Sequence, residues 1–168
     1  MPRRADGIAW QREVSAFRGR IVQINISTGG VPKTAVARAE VGPLGIVGDR
    51  HRFRSHGGVD KALLLMASEV IDALRAEGWP LYYGALGENL TTYGLDQSTW
   101  QSGQRFKCGS VLIELTTPRE PCRTLDVYGR GIQKRLKAKH GESGFYAAVL
   151  EGGTLLPDAT IEAVERIS

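Results

Sequence analysis

The amino-acid sequence predicts a mainly β fold of the α+β class, an antiparallel β-barrel with a few flanking helices. Short segments of alternating or continuous apolar residues recur along the chain, and turns rich in glycine and proline separate them. Many short strands with few helices are typical of a barrel. The chain has 168 residues, so we expect one domain over residues 20–168, preceded by a polar lead-in over residues 1–19.

The first strand is predicted over residues 19–27, where apolar and polar side chains alternate. Val22, Ile24 and Ile26 would occupy one face of this strand, and the polar residues between them would occupy the other. A turn with two glycines and a proline follows. The alternation resumes over residues 34–41, which predicts the partner strand of a hairpin.

An irregular loop rich in glycine and arginine is predicted over residues 42–60, and loops of this length are usually functional or mobile. Residues 61–66 are apolar enough to form a buried strand. A helix is then predicted from Ser68, which can cap it, to Gly78, which stops it. The remaining predicted elements are a turn and short strand over 86–92, a hairpin of strands 104–107 and 111–117, a proline-bounded loop over 118–122, a basic helix over 132–139, and strands over 145–150 and 160–167.

Composition and charge narrow the class of protein. Hydrophobic residues make up 42% and charged residues 24%, an ordinary balance for a soluble domain. No apolar run approaches the ~20 residues that span a bilayer, and no signal peptide is legible, so we expect a cytoplasmic protein without a membrane partner. The net charge is +4. A cleft for a small phosphorylated anion accounts for this charge as well as nucleic acid does, and the scattered basic residues form no nucleic-acid motif.

The first candidate functional residue is Cys122, which follows a predicted strand within residues 116–123. Two prolines stiffen this loop and can hold one thiol at a fixed position on a barrel rim. Arg119 and Arg123 would favour the thiolate if they lie close to it. Alternatively, Cys122 is a small buried apolar residue. Cys108 lies at a hairpin turn without supporting polar residues, and two cysteines do not suggest a disulfide framework.

The second candidate is the basic, glycine-rich stretch over residues 48–61. The adjacent Gly57 and Gly58 allow a backbone to approach a ligand closely, and successive amides in such a loop can bind an anion. Four basic side chains add positive charge: Arg50, Arg52, Arg54 and Lys61. The stretch is therefore either a cradle for a phosphorylated ligand or a solvated basic loop with a glycine turn.

Two histidines in the same stretch, His51 and His56, can also be considered with Asp49 and Asp60 as a metal site. Their spacing matches no compact zinc motif, and no cysteine pair accompanies them. His51 is alternatively a proton donor or a phosphate contact.

The third candidate lies over residues 84–92. Gly87 frees the backbone there, and the amide of Asn89 can both donate and accept hydrogen bonds in one plane. This arrangement suits recognition of a pterin edge or of a backbone carbonyl group. Asn89 is alternatively a turn-forming residue.

Taken together and in this order, these stretches resemble the MOSC domain, a family named for the C-terminal part of molybdenum cofactor sulfurases. The resemblance covers roughly residues 20–167, and the order and spacing of its motifs are more specific than any one of them. The matching motifs are GDRH at 48–51, HGGVDKA at 56–62, GENLTT at 87–92, GL at 94–95, TTPREPC at 116–122, GFY at 144–146 and LEGG at 150–153.

The resemblance implies a barrel-like fold that binds the molybdenum cofactor, in which a pyranopterin dithiolene carrying a phosphate holds the metal. It implies that Cys122 is the protein ligand of molybdenum, and a soft thiolate suits that metal. The family is also associated with pyridoxal phosphate. The cofactor-binding residues expected beside Cys122 are Arg50, Arg54, His56, Gly57, Gly58, Lys61, Asn89, Thr117 and Arg119.

The resemblance further implies a molybdenum-dependent oxidoreductase that reduces N-hydroxylated compounds, including hydroxylaminopurines and amidoximes. His51 or Glu88 would supply a proton, and Cys122 would hold the metal. No ferredoxin-type cysteine cluster is present, so electrons would come from an external donor protein. Two alternatives remain open: a carrier that hands its cofactor or sulfur to a partner enzyme, and an anion- or nucleic-acid-binding barrel without a redox role.

Overall fold

The computed structural model describes residues 18–51 and 53–164, and these residues form a barrel of short strands with few helices. The strands are β1 (Arg18–Ile26), β2 (Thr34–Val36), β3 (Ala39–Gly42), β4 (Gly45–Ile46), β5 (Leu63–Ala67), β6 (Leu90–Tyr93), β7 (Arg105–Cys108), β8 (Val111–Pro118), β9 (Phe145–Glu151), β10 (Gly153–Leu155) and β11 (Thr160–Val164). The helices are α1 (Ser68–Ala76) and α2 (Ile132–Lys137), with 3₁₀ turns at Arg54–His56, Val59–Lys61, Gln97–Thr99 and Arg123–Tyr128.

Seven strands close into the barrel in the order β11, β7, β8, β9, β5, β6, β1, and β1 pairs back with β11. The neighbouring strands are antiparallel except for β5 and β6, which are parallel and joined by α1. Apolar side chains from all seven strands fill the interior, with Phe106 and Phe145 among the largest. The predicted barrel with flanking helices is therefore confirmed.

Strand β1 carries an irregularity that the sequence pattern did not predict. Its pairing with β6 shifts between Ile21 and Gln23, so Val22 is an extra residue in the strand. Such a bulge changes which side chains point inward. The fully buried apolar residues are consequently Ile21 and Ile24, and Ile26 packs against the same core. The predicted placement of Val22 on this face is wrong.

The single strand predicted over residues 34–41 is also wrong, because the chain divides there into two strands. Strand β2 pairs with β1, whereas β3 joins a separate three-stranded sheet in the order β10, β3, β4. Ala39 and Val41 of β3 are buried against the barrel core. The sequence analysis did not predict β4 or β10, which are only two and three residues long.

A second apolar cluster lies outside the barrel, between the two helices. It includes Ile71 and Leu74 of α1 together with Ile132 and Leu136 of α2. Ser68 is the first residue of α1, and Ala67 occupies the cap position, so the predicted capping by Ser68 is wrong.

The lead-in predicted over residues 1–19 lies outside the described residues, except that Arg18 and Gly19 already belong to β1. Residues 165–167 of the last predicted strand also lie outside them. In the described part of the chain, no helix is both long and apolar enough to cross a membrane.

Candidate functional site

A cleft at the rim of the barrel contains about 550 Å³ of empty space, part of it open to solvent. We call it the inner cleft. Its wall combines the turn after β1, the basic stretch, the start of the 84–92 loop and the proline-bounded loop. The side chains on this wall belong to Val31, Lys33, Arg50, His51, His56, Lys61, Leu64, Asn89, Arg119, Glu120, Cys122, Thr124 and Tyr146, and the backbones of Gly30 and Gly87 complete it.

A second cavity of about 970 Å³, which we call the outer groove, adjoins the inner cleft. Thr117, Ser55 and two prolines line only this groove. Five residues line both cavities and therefore form the boundary between them: His56, Lys61, Glu120, Cys122 and Tyr146. Cys122 is thus reachable from both sides.

The thiol of Cys122 lies immediately before the 3₁₀ turn Arg123–Tyr128 and is partly exposed. Its Sγ lies 3.0 Å from the Thr124 hydroxyl and 3.9 Å from Nε2 of His56. Cys108 is instead fully buried in the barrel core, and burial raises the pKa of its thiol to about 12. Of the two cysteines, only Cys122 can meet a ligand.

Arg119 is a buried cation on the wall of the inner cleft, with only 7% of its surface exposed. Its guanidinium donates hydrogen bonds to the carbonyl oxygens of Leu86 (2.7 Å) and Ser143 (3.3 Å). Among the described residues, no carboxylate forms an ion pair with it, and burial lowers the pKa of the guanidinium. The buried Glu88 carboxyl acts on this cation without forming an ion pair with it, so an anionic ligand in the cleft would stabilise the guanidinium further.

Lys33 is a second buried cation of the inner cleft. Its Nζ donates to Oδ1 of Asp49 at 2.6 Å, and the two side chains are 7% and 2% exposed. The carboxylate of Asp49 also accepts from the backbone N–H of Ser27 and from Nδ2 of Asn89, both at 2.9 Å. This ion pair therefore fixes the end of the cleft formed by the turn after β1.

The amide of Asn89 lines the inner cleft, but its hydrogen-bonding groups are used within the protein. Nδ2 donates to the carbonyl oxygen of Asn25 (3.1 Å) and to Asp49, and Oδ1 accepts from the backbone N–H of Leu64 (3.0 Å). Asn89 thus links β1, β5 and the start of β6, and the two amide hydrogens face protein atoms.

The two histidines of the basic stretch, His51 and His56, both lie on the inner cleft. Burial, with the nearby charge of Lys33, lowers the pKa of His51. Burial, with the charge of Arg119, lowers the pKa of His56. A Cβ atom at Gly57 would lie 2.5 Å from the His51 ring, so glycine is required at this position to admit the ring.

Glu88 is fully buried and lines neither cavity. Its Oε2 accepts from the backbone N–H of Gly84 and from the Thr91 hydroxyl, both at 2.9 Å, whereas Oε1 has no hydrogen-bond partner. Burial raises the pKa of this carboxyl from 4.5 to about 6. Glu88 therefore holds the 84–91 loop in place behind the cleft.

The raised pKa of Glu88 predicts a dependence of stability on pH. The folded protein binds this proton more tightly than the unfolded chain, so the contribution of Glu88 to stability is fully present below pH 4.5 and is lost as the pH rises through 6. The free energy of unfolding that Glu88 contributes, and that is lost over this range, is about 2 kcal/mol. Urea unfolding at pH 4 and pH 7 should show this loss as a difference between wild type and Glu88→Gln, which lacks the titrating group. Parallel pH profiles for the two proteins would contradict it.

The structure brings most of the predicted site residues together. The inner cleft unites Arg50, His51, His56, Lys61, Asn89, Arg119 and Cys122, and Thr117 lies on the outer groove alone. Arg54 is exposed, and Arg54, Gly57, Gly58 and Glu88 line neither cavity. Within residues 18–51 and 53–164, no three His, Cys, Asp or Glu side chains are grouped to hold a metal.

Sequence analysis did not assign a site role to four polar residues of the cleft, namely Lys33, Glu120, Thr124 and Tyr146. Thr124 and Glu120 flank Cys122 by two residues, so proximity in sequence was the available signal. Lys33 follows a glycine–proline turn, and Tyr146 alternates within a strand. Tyr146 also lies in the GFY motif at 144–146, whereas nothing local in the sequence separates Lys33 from an ordinary surface position.

Comparison with known proteins gives a consistent match. The family model for the MOSC domain matches residues 52–162. A protein of Gibberella moniliformis named reductase is 32% identical over 130 residues, which are 73% of this chain and 23% of that protein. Protein YiiM of Escherichia coli is 34% identical over 136 residues, 74% of this chain and 58% of YiiM. The chain therefore spans less than two thirds of the length of these curated relatives.

Solved structures match in the same way. The crystal structure of YiiM from Geobacillus stearothermophilus has a TM-score of 0.74 at 31% identity, covering 88% of this chain and 76% of that one. The crystal structure of YiiM from Escherichia coli has a TM-score of 0.72 at 28% identity, covering 90% and 71%.

Proposed function

The chain belongs to the MOSC domain family, and from this premise we propose that its inner cleft binds the molybdenum cofactor with Cys122 as the metal ligand. The observation that supports this most is that an accessible thiol, Cys122, and a buried guanidinium without a direct ion pair, Arg119, line the same cleft. The cofactor needs both groups, because its metal is soft and its pterin carries a phosphate.

The remaining donors of the cleft fit the same ligand. Lys33, Arg50 and Lys61 are cationic and can meet a phosphate together with Arg119. Gly87 has a φ of +85°, and a Cβ atom there would lie 3.1 Å from Val31, so glycine keeps this side of the cleft open. Cys122 would hold the metal of the cofactor through its thiolate.

The reaction that we propose is the reduction of N-hydroxylated compounds. In an amidoxime, two electrons and two protons break the N–O bond, and the products are an amidine and water. The bound cofactor would supply the two-electron couple, and an external electron-donor protein would restore it. The protein would hold the metal of the cofactor through Cys122 and orient the cofactor's phosphate with the cations of the cleft. His51 lies on the cleft wall and would relay a proton from solvent to the leaving oxygen, whereas Glu88 lies behind that wall.

The test is cofactor content. Protein expressed in a host that makes the cofactor is expected to carry molybdenum and a releasable pterin near stoichiometry. Lys61→Ala should retain about tenfold less, because a lost charge-assisted hydrogen bond costs about 1.5–3 kcal/mol. The matched control is Lys107→Ala, an exposed lysine on β7 that lines neither cavity. Absence of both molybdenum and pterin from wild type would refute the proposal.

A second candidate function is a carrier of cofactor or sulfur. It is favoured by the position of Cys122 between the inner cleft and the outer groove, from which a partner enzyme could reach the thiol. Turnover separates the two candidates. If molybdenum-loaded protein with reduced viologen converts none of a panel of N-hydroxylated substrates, the carrier function is the better explanation.

A further inference from the structure

The positive charge of the chain is concentrated in one segment, which begins directly after Cys122. Residues 123–139 contain six basic side chains and one acidic side chain, so their net charge of +5 exceeds the +4 of the whole chain. In the rest of the sequence, acidic residues slightly outnumber basic ones. The basic residues that sequence analysis treated as scattered therefore dominate one surface, which we call the basic face. It consists of five exposed side chains: Arg123, Arg130, Lys134, Lys137 and Lys139.

Two packed elements carry the basic face. The 3₁₀ turn Arg123–Tyr128 continues directly from the proposed metal ligand, and α2 packs on this turn within the second apolar cluster. The side-chain amide of Gln133 in α2 donates a hydrogen bond to Asp126 of the turn at 3.0 Å. Lys134 and Lys137 are three residues apart, so they lie on the same side of α2. The basic face is thus attached to the loop that presents the thiol.

The five cations of the basic face form no ion pairs with the residues that the structure describes. Arg135, the sixth basic side chain of the segment, is paired with Glu77 and Glu142, both at 2.6 Å. Glu77 also interacts with Lys139 at longer range. Like charges that lie close together repel one another, and an acidic partner would relieve this repulsion.

Exposed apolar side chains accompany these cations. Val127 of the 3₁₀ turn is 73% exposed, and Tyr82, which is 47% exposed, meets the ring of Tyr128 edge-on at 6.4 Å between centroids. The hydroxyl of Tyr128 donates to the carbonyl oxygen of Ala85, which anchors this patch to the loop behind the inner cleft. Apolar and aromatic groups beside cations are typical of protein interfaces, whereas a phosphate backbone is bound mainly by cations. A protein is therefore the better partner for this surface.

We propose that the basic face is the docking surface for an acidic electron-carrier protein. This inference rests on the proposed reductase function and adds to it the kind of donor and its place on the molecule. Opposite charges steer and orient such a partner. A 3₁₀ turn rises about 2 Å per residue, so the far end of the turn lies roughly 12 Å from Cys122. Each encounter delivers one electron, and two encounters supply the two electrons that cleavage of one N–O bond consumes, with two protons from solvent.

The first experiment measures binding of a plant-type [2Fe–2S] ferredoxin and of a flavodoxin, two acidic electron carriers, by calorimetric titration at low ionic strength. Lys134→Glu and Lys137→Glu are each expected to weaken binding about fivefold, and the double variant more than about tenfold. Lys134→Gln should act in the same direction and less strongly, without placing a new negative charge on the helix. Added salt should weaken wild-type binding and reduce these differences.

The matched control is Lys107→Glu, which changes the net charge by the same amount on an exposed position of β7, outside the basic segment. It should leave the affinity for either carrier within about twofold of wild type. Equal weakening by Lys107→Glu and Lys134→Glu would mean that net charge, and not the basic face, attracts the carriers, and the inference would then fail.

Turnover with two donors keeps this inference separate from the proposed function. Reduced viologen needs no docking surface, so the Lys134→Glu and Lys137→Glu double variant should keep the wild-type rate with it. With reduced ferredoxin, kcat/KM for ferredoxin should fall about tenfold in the same variant. If wild type shows no turnover with either donor, the reductase proposal fails and the titration still decides the role of the basic face.

Two outcomes overturn the inference outright. One is the absence of binding of both carriers to wild type at low ionic strength. The other is binding of a single-stranded RNA oligonucleotide that the double variant abolishes, while neither carrier binds, which would identify the basic face as a nucleic-acid surface.

Discussion

The Cys122→Ser variant is expected to lose turnover of N-hydroxylated substrates by more than about a hundredfold, because even an outer partner of a metal ligand contributes about 10–100-fold. Serine has a similar size, but its hydroxyl is a harder ligand and far less acidic than a thiol. The fold should persist, since Cys122 is partly exposed and its close polar contact is with Thr124. Initial rates with reduced viologen, normalised to molybdenum content, measure the effect.

The control for this substitution is Cys108→Ala, which changes the other cysteine of the chain. Cys108 is buried in the barrel core and lines neither cavity, so its loss should lower stability slightly and leave turnover per molybdenum intact. Turnover by Cys122→Ser above one tenth of the wild-type rate would show that the thiol is not the ligand on which the chemistry depends.

The Lys33→Met variant is expected to lose about 3–5 kcal/mol of unfolding free energy, the usual cost of breaking one side of a buried ion pair. Methionine leaves the carboxylate of Asp49, which is 2% exposed, without its cation. The hydrogen bonds from Ser27 and Asn89 remain and place the loss at the lower end of this range. Urea denaturation at pH 7 gives the measurement.

Two further variants test whether the loss of stability in Lys33→Met comes from burial of an unpaired charge. In Lys33→Met combined with Asp49→Asn, the unpaired charge is removed, so the double variant should be more stable than Lys33→Met alone. Arg38→Met breaks the exposed pair between Arg38 and Glu40, whose side chains are 67% and 53% exposed, and should cost less than about 1 kcal/mol. Equal losses in Lys33→Met and Arg38→Met would contradict the assigned role of the pair.

The barrel was predictable because its strands carry local signals. The segments that became β5, β8 and β9 are apolar or alternating and bounded by turns. The errors arose where a tertiary contact overrides the local pattern. The bulge at Val22 is set by pairing with β6, and the division of residues 34–41 is set by pairing with β10, about 110 residues away.

The same distinction applies to the candidate site: residues with a local sequence signal were predicted, and residues whose role depends on distant contacts were not. Cys122 and Lys61 were identifiable because prolines or glycines surround them in sequence. Arg54 was expected on the cofactor because it shares a stretch with Lys61, yet the 3₁₀ turn exposes it away from both cavities. Lys33 was missed because its importance comes from burial beside Asp49, which composition and spacing do not encode.

The seam that closes the barrel has a consequence for how the chain folds. The pairing of Arg20 in β1 with Thr160 in β11 joins residues about 140 apart in sequence. Forming a contact across this separation reduces the conformational entropy of the chain before the contact contributes any stability. Barrels of this kind therefore fold in milliseconds to seconds. Until the seam forms, β1 and β11 expose unpaired edges. The slowest step of folding and the period of greatest risk of aggregation therefore coincide at this one pair of strands.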